Sequence, residues 1–196
     1  SKKDYISKPE LFMLDLLSNY QWDRPIHLLN MGGDLNMGIK DYLEYDGFSY
    51  KFVPVRNRQR TSEVGFADPD KLYDMMTNVY KWDALSRPDY YADNQHLYTF
   101  CGVLSQRALF VNVAKEMVKA GHPERAVEML DKCQACVPEK NYPLDISYLG
   151  YSNELMVMDM INLYYVLGEK DKASDLATRF IDKMFQSVNF FFQFYD

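Results

Sequence analysis

Aromatic rings alternate with carboxylates along Trp82-Asp83-Ala84-Leu85-Ser86-Arg87-Pro88-Asp89-Tyr90-Tyr91-Ala92-Asp93. Flat ring faces stack on a sugar while carboxylates accept its hydroxyl hydrogen bonds, so Trp82, Tyr90, Tyr91 and Asp93 are candidate glycan-binding residues. The competing reading is a connector whose rings pack on neighbouring helices. A second group is basic: Arg56 and Arg58, in the run from Arg56 to Arg60, carry planar donor forks that suit the phosphate of a lipid-linked donor or a headgroup. As a solvated loop the same run needs no partner.

Other chemistry is poorly supplied. Cys133 and Cys136 have redox spacing, but they fall in the last turns of an expected helix, away from the helix N-terminus that would stabilise a thiolate. Buried structural thiols are the better reading. His27, His96 and His122 lie in different elements, without ligand spacing to a second His, Cys or carboxylate, so neither a metal nor a cofactor is expected. Gly32-Gly33-Asp34 lacks the Lys and Ser/Thr of a phosphate loop, and no nucleophile elbow occurs. Carboxylates such as Asp15, Asp41, Glu44, Asp89 and Asp93 could serve a glycosidase only if two of them converged in space, which spacing does not indicate. No catalytic residue is assigned.

The elements that must carry these residues differ between the two ends of the chain. Lys8-Pro9-Glu10 opens a helix with Leu11, Leu14 and Leu17 at helical spacing, running to about Asn19-Tyr20. Ile26 to Asn30 reads as a short strand, Ile39 to Tyr45 as a short helix, and Phe48 to Val55 as a second strand with alternating rings. About 17 residues containing a helix separate the strands, enough for a parallel β-α-β crossover; an antiparallel ribbon is the alternative. Asp68-Pro69 starts a further helix through Val79.

From Gln95 onward the period is helical. Leu97, Cys101, Leu104, Ala108, Val111, Ala114 and Val118 form one stripe; Ala126, Leu130, Cys133 and Val137 form its partner. A second pair follows, Tyr151 to Leu167, apolar on most sides and so expected to be central, and Lys170 to about Phe192, with Ala173, Ala177, Phe180, Met184, Val188 and Phe191 in line. The turns Gly121-His122-Pro123-Glu124-Arg125-Ala126 and Gly168-Glu169-Lys170-Asp171-Lys172-Ala173 repeat each other at an offset of 47 residues. The expected fold is thus mainly α: tetratricopeptide-like helical hairpins over residues 67–196, preceded by a small α/β (β-α-β) unit over residues 1–66.

Charge narrows the partners. Residues 1–66 carry 9 basic and 9 acidic residues, residues 67–196 carry 13 and 19, and an acidic repeat region does not attract a phosphate backbone, so no nucleic-acid partner is expected. No apolar run spans a bilayer. The chain opens at Ser1-Lys2-Lys3 with no Met, consistent with a piece cut from a longer polypeptide.

Lys8 to Asn19, Trp22-Asp23-Arg24-Pro25-Ile26, Ile39 to Leu43, Gly47 to Val55 and Lys81-Trp82, in this order, carry a family likeness. The chain resembles, over nearly its whole length, the soluble C-terminal region of large bacterial membrane proteins that look like protein O-mannosyltransferases. The resemblance implies a polytopic N-terminal portion, with a glycosyltransferase-like site on its extracytoplasmic side and a lipid-phosphate-linked sugar as donor. It also implies a periplasmic location for this region, at the inner membrane. The expected acidic catalytic residues lie outside this chain, so no catalytic role transfers to any residue of it. The expectation is a non-catalytic accessory domain, partnered by the membrane portion of its own polypeptide and by an acceptor protein or glycan. A self-contained carbohydrate-active enzyme and a free-standing glycan- or peptide-binding scaffold are the rivals.

Overall fold

The structure, a computed structural model, describes residues 5–29, 38–57, 66–91, 93, 103–145 and 153–194, without the side chains of 103–105. The chain is mainly helical, with a small four-stranded sheet ahead of the long helices. It divides into two units, Ser1–Thr77 and Asn78–Asp196, where the sequence had suggested a division at 66/67.

In the first unit, helix α1 (Lys8–Ser18) starts with Pro9 in its first turn, and Glu10 Oε2 accepts from the Ser7 backbone N–H at 2.7 Å. Met13 and Leu17 face the unit's core, which also holds Leu28, Ile39, Leu43, Tyr50 and Phe52. Leu11 and Phe12, on other sides of α1, are exposed. The strands are β1 (His27–Leu28), β2 (Leu43–Tyr45), β3 (Tyr50–Phe52) and β4 (Phe66–Ala67), in the spatial order β1-β3-β2-β4.

The expected parallel β-α-β crossover is not what forms. β1 runs antiparallel to β3, with His27 opposite Lys51 and Leu28 opposite Tyr50, and β2 and β3 make an antiparallel hairpin. The expected helix from Ile39 to Tyr45 is a single 3-10 turn, Ile39–Tyr42, that runs into β2. The physical reason is the dipeptide Asp46-Gly47. Gly47 takes φ 104°, and Asp46 Oδ1 accepts from the N–H groups of Phe48 (3.1 Å) and Ser49 (2.7 Å). This closes a hairpin turn in place of a helix exit. β2 also pairs parallel with β4, placing Phe66–Ala67 in the sheet. Asp68 then caps helix α2 (Pro69–Asp74), accepting from the N–H groups of Asp70 and Lys71, and a π-helical turn continues it over Met75–Val79.

The second unit is built on helices α3 (Val103–Lys119), α4 (Pro123–Cys136), α5 (Asn153–Val166) and α6 (Lys170–Phe192). α3 packs on α4, α5 on α6, and α5 also rests against α3 and α4. The two turns are built alike. Gly121 and Gly168 have φ 81° and 86°, a region where a Cβ is strained. His122 N–H bonds Met117 O and Gly121 N–H bonds Val118 O; Glu169 bonds Tyr164 and Gly168 bonds Tyr165 in the same way. Both are Schellman closures, so the sequence repeat is a repeat of backbone geometry. Ala126 and Ala173, at equivalent positions, are fully buried, as are Leu130 and Cys133 on the α4 stripe.

Two helical expectations need correction. α6 has 23 residues against 14 for α5, roughly 13 Å of extra length at about 1.5 Å per residue. Its Ala173, Leu176 and Phe180 are buried, but Val188 and Phe191, placed in the same stripe from sequence, are exposed because they lie past the partner helix. α5 does touch three helices, yet Leu155, Met158, Tyr165 and Val166 form an exposed side. Leu97 and Cys101 lie outside the described residues.

Candidate functional site

The aromatic loop does not present its rings together. Trp82 is 4% exposed, with its ring 4.6 Å from that of Phe110 and Tyr80 edge-on at 6.0 Å. Its faces are occupied by protein, which matches the connector reading. Tyr90 is half-buried with its ring 6.2 Å from that of Tyr142, whereas Tyr91 (83% exposed) and Asp93 face solvent. Arg87 and Asp89 pair within the loop at 2.6 Å, which lowers the Asp89 pKa. Of the four candidates, then, Tyr91 and Asp93 retain open surface.

Arg56 spends its fork on Asp41, with Nη2 at 2.9 Å and Nε at 3.1 Å from Oδ2, and this carboxylate raises its pKa further. Arg58 lies outside the described residues. Close by in the fold, Ser49 Oγ donates to Asp46 Oδ2 (2.8 Å) and lies 2.7 Å from His27 Nδ1. The residue types suggest a catalytic triad, but the geometry does not. Asp46 touches both Ser49 and His27, at 2.8 and 3.2 Å, whereas a relay needs the imidazole between nucleophile and acid. With its hydroxyl proton on the carboxylate, Ser49 locks the β2–β3 turn to β1.

In the second unit a buried polar bracket ties the connector between hairpins to both of them. Arg107 Nη1 donates to Asn153 Oδ1 (2.6 Å) and Nη2 to Tyr142 O (2.9 Å), while Asn153 Nδ2 donates to Leu144 O (2.8 Å). A second chain threads α4, α5 and α6. Tyr164 hydroxyl donates to Asp131 Oδ1 (2.8 Å) and accepts from Gln134 Nε2 (2.9 Å), Gln134 Oε1 accepts from Arg179 (2.8 Å), and Lys172 pairs with Asp131 (2.7 Å). Burial raises the Tyr164 pKa, with Asp131 adding to the effect. Between these networks lies a cleft of about 60 Å³ whose walls include Arg107, Cys133, Gln134, Glu139, Met160 and Arg179. Cys133 and Cys136 are free thiols. Burial pushes Cys133 up to about 12, the opposite of the depressed value a reactive thiolate needs. Among the described residues no group of three or more His, Cys, Asp or Glu could hold a metal ion.

The surface that sequence reasoning missed is on the second hairpin. A shift of 47 residues lays Val111 on Met158, Ala114 on Ile161, Val118 on Tyr165, Gln134 on Ile181 and Pro138 on Phe185. In the first hairpin these positions belong to the side that holds the second. Lys115 reaches Asp159 at 2.6 Å, Gln134 bonds Tyr164 and Arg179, and Val111 and Ala114 are fully buried. In the second hairpin the equivalent side is open and more apolar: Met158 and Ile181 are half exposed and Phe185 is 63% exposed, with Val188 and Phe192 extending the stripe along α6. Comparing the two hairpins position by position would have found it.

A family model described as TMEM260-associated domain 2 matches residues 1–71, α1 and the sheet together with the start of α2. The likeness read from sequence runs on through the hairpins; the model stops before them. No curated protein and no solved structure matches the chain. Among the described residues no helix is long and apolar enough to cross a membrane. The match suggests a TMEM260-like family and, with it, a region that accompanies a membrane protein.

Proposed function

We propose that this chain is a non-catalytic accessory domain of a TMEM260-like, glycosyltransferase-like membrane protein, located on the periplasmic side and serving in assembly or in holding an acceptor protein. The observation that carries the reading is the open apolar side of α5–α6, related by the 47-residue repeat to the side of α3–α4 that already holds a helical hairpin. A surface built on that plan takes an amphipathic helix crossing it as α5 crosses α3, and the proposed occupant is a helical segment of the same membrane protein. Contiguous exposed apolar side chains such as Met158, Ile181 and Phe185 mark interaction sites. The match of residues 1–71 to a TMEM260-associated domain supports the attachment.

The test uses the full-length protein, with this region deleted and, separately, with Met158→Glu combined with Phe185→Glu. Both changes should lower acceptor glycosylation or co-purification of the assembled protein. Assembly, acceptor binding and activity all unchanged in both would remove the proposed role.

A further inference from the structure

Among the described residues no carboxylate forms an ion pair with Arg107; Glu139, on the wall of the same cleft, is paired with Arg179. Arg107 is 2% exposed, and the groups it donates to, Asn153 Oδ1 and Tyr142 O, are neutral. These bonds use two of the five N–H donors a guanidinium carries. The Cys133 thiol, beside Arg107 in the cleft wall, is held protonated by burial and supplies no negative charge. Of the acidic residues outside the described ones, Asp4, Asp34, Glu63 and Asp196, none lies in the stretches 94–102 and 146–152 that adjoin α3 and α5 in sequence. Burying a lone charge is costly, and Arg does not relieve the cost by losing its proton. The cleft beside it is large enough to admit a small polar ligand.

We propose that the cleft between the two hairpins binds a carboxylate, with Arg107 at its floor and Arg179 at its mouth. Arg179, more than a third exposed, stands at the opening with its donors on Gln134 Oε1 and on the carboxylates of Glu139 and Asp175, whose charge it offsets. Glu139 decides the class of anion. A carboxylate at the mouth repels a dianionic phosphate more strongly than a monoanion, and the planar guanidinium fork fits two carboxylate oxygens. The carboxylate comes from a small free acid or from the end of a polypeptide. This site is independent of the apolar side of α5–α6, so either proposal can fail alone.

The 196-residue chain, labelled with 15N-arginine, reports directly. The Arg107 Nε–Hε signal, identified by its loss in Arg107→Lys, should shift saturably with sodium acetate at constant ionic strength and stay still with chloride. Arg179→Gln, at a half-open position that leaves the floor intact, should weaken acetate about tenfold, because Glu139 and Asp175 lose the charge that offsets their repulsion of an anion. Alanyl-alanine competing with acetate, while its C-terminal amide does not, identifies a chain terminus as the source; acetate without alanyl-alanine identifies a free acid. An Arg107 signal that ignores acetate, or moves equally with chloride, overturns the site. Inorganic phosphate binding more tightly than acetate overturns the carboxylate assignment.

Discussion

One substitution placed at two repeat-related positions separates a buried interface from an open one. Val111 is fully buried where α3 meets the second hairpin; Met158, 47 residues on, is half exposed. For Val111→Glu the lost apolar burial costs about 1.5–2 kcal/mol. Keeping the new carboxyl neutral at pH 7 adds about 3.7 kcal/mol, from roughly 2.7 pH units between its ordinary pKa and pH 7 at ~1.36 kcal/mol each. The sum, about 5 kcal/mol, rivals the stability of a whole domain. Met158→Glu stays within about 0.5 kcal/mol, as exposed substitutions do. Urea titrations of the isolated chain give both numbers. The sign of the pH dependence supplies a further check. A carboxyl whose folded pKa is raised destabilises above its unfolded pKa and ceases to as pH falls below it, so the gap between Val111→Glu and Val111→Gln should close toward pH 4. Equal losses at the two positions would refute the assignment of one side as covered and the other as open.

Thiol labelling in a Cys101→Ser background should find Cys133 unreactive at pH 8 until the chain unfolds, since a pKa of about 12 leaves roughly one thiolate in ten thousand, and Cys136, half-buried, reacting first. Trp82→Ala should cost about 3–5 kcal/mol in chemical denaturation, because the ring is packed against Phe110 with no open face; a loss under about 1 kcal/mol would return Trp82 to the list of ligand-facing residues. Tyr164→Phe should cost about 1–2 kcal/mol, since it leaves Gln134 Nε2 without its acceptor while Asp131 keeps Lys172.

How much of this could be read beforehand depends on where each signal resides. The long helices were legible because α3, α4 and α6 repeat their apolar residues every 3.6 positions, because α5 is a long apolar run, and because Gly121 and Gly168 mark closures that need positive φ. The sheet was less so. Strands of two or three residues are too short to show a period, and its pairing rests on Asp46-Gly47, a local turn signal that competes with the helical look of Ile39 to Tyr45. The cleft was not legible at all. Arg107 and Asn153 are 46 residues apart, and nothing in either residue type announces that a guanidinium will be buried with an amide. Trp82 illustrates the converse: its type suits stacking on a ligand or packing in a core equally well, and only burial separates the two.

The two repeat-related sides also differ in what would hold a neighbour, and this leads to a salt test. The first hairpin grips the second with charge: Arg107 on Asn153, Lys115 on Asp159, Asp131 on Lys172. A shift of 47 places Glu154, Asn162 and Thr178 where Arg107, Lys115 and Asp131 stand, beside Met158, Ile181 and Phe185. Two basic groups and an acidic one are thus replaced by one acidic and two neutral residues. Attachment at the second side must therefore come mainly from apolar burial, which salt does not screen, whereas half-exposed pairs such as Lys115–Asp159 weaken as the Debye length falls from about 10 Å at 0.1 M to 3 Å at 1 M. Raising salt across that range should leave binding of a helical partner to α5–α6 unchanged or tighter, while Lys115→Met loses its effect on the stability of the isolated chain. A partner that dissociates steeply with salt would mean that charged residues make the attachment and that the apolar stripe is not the surface used.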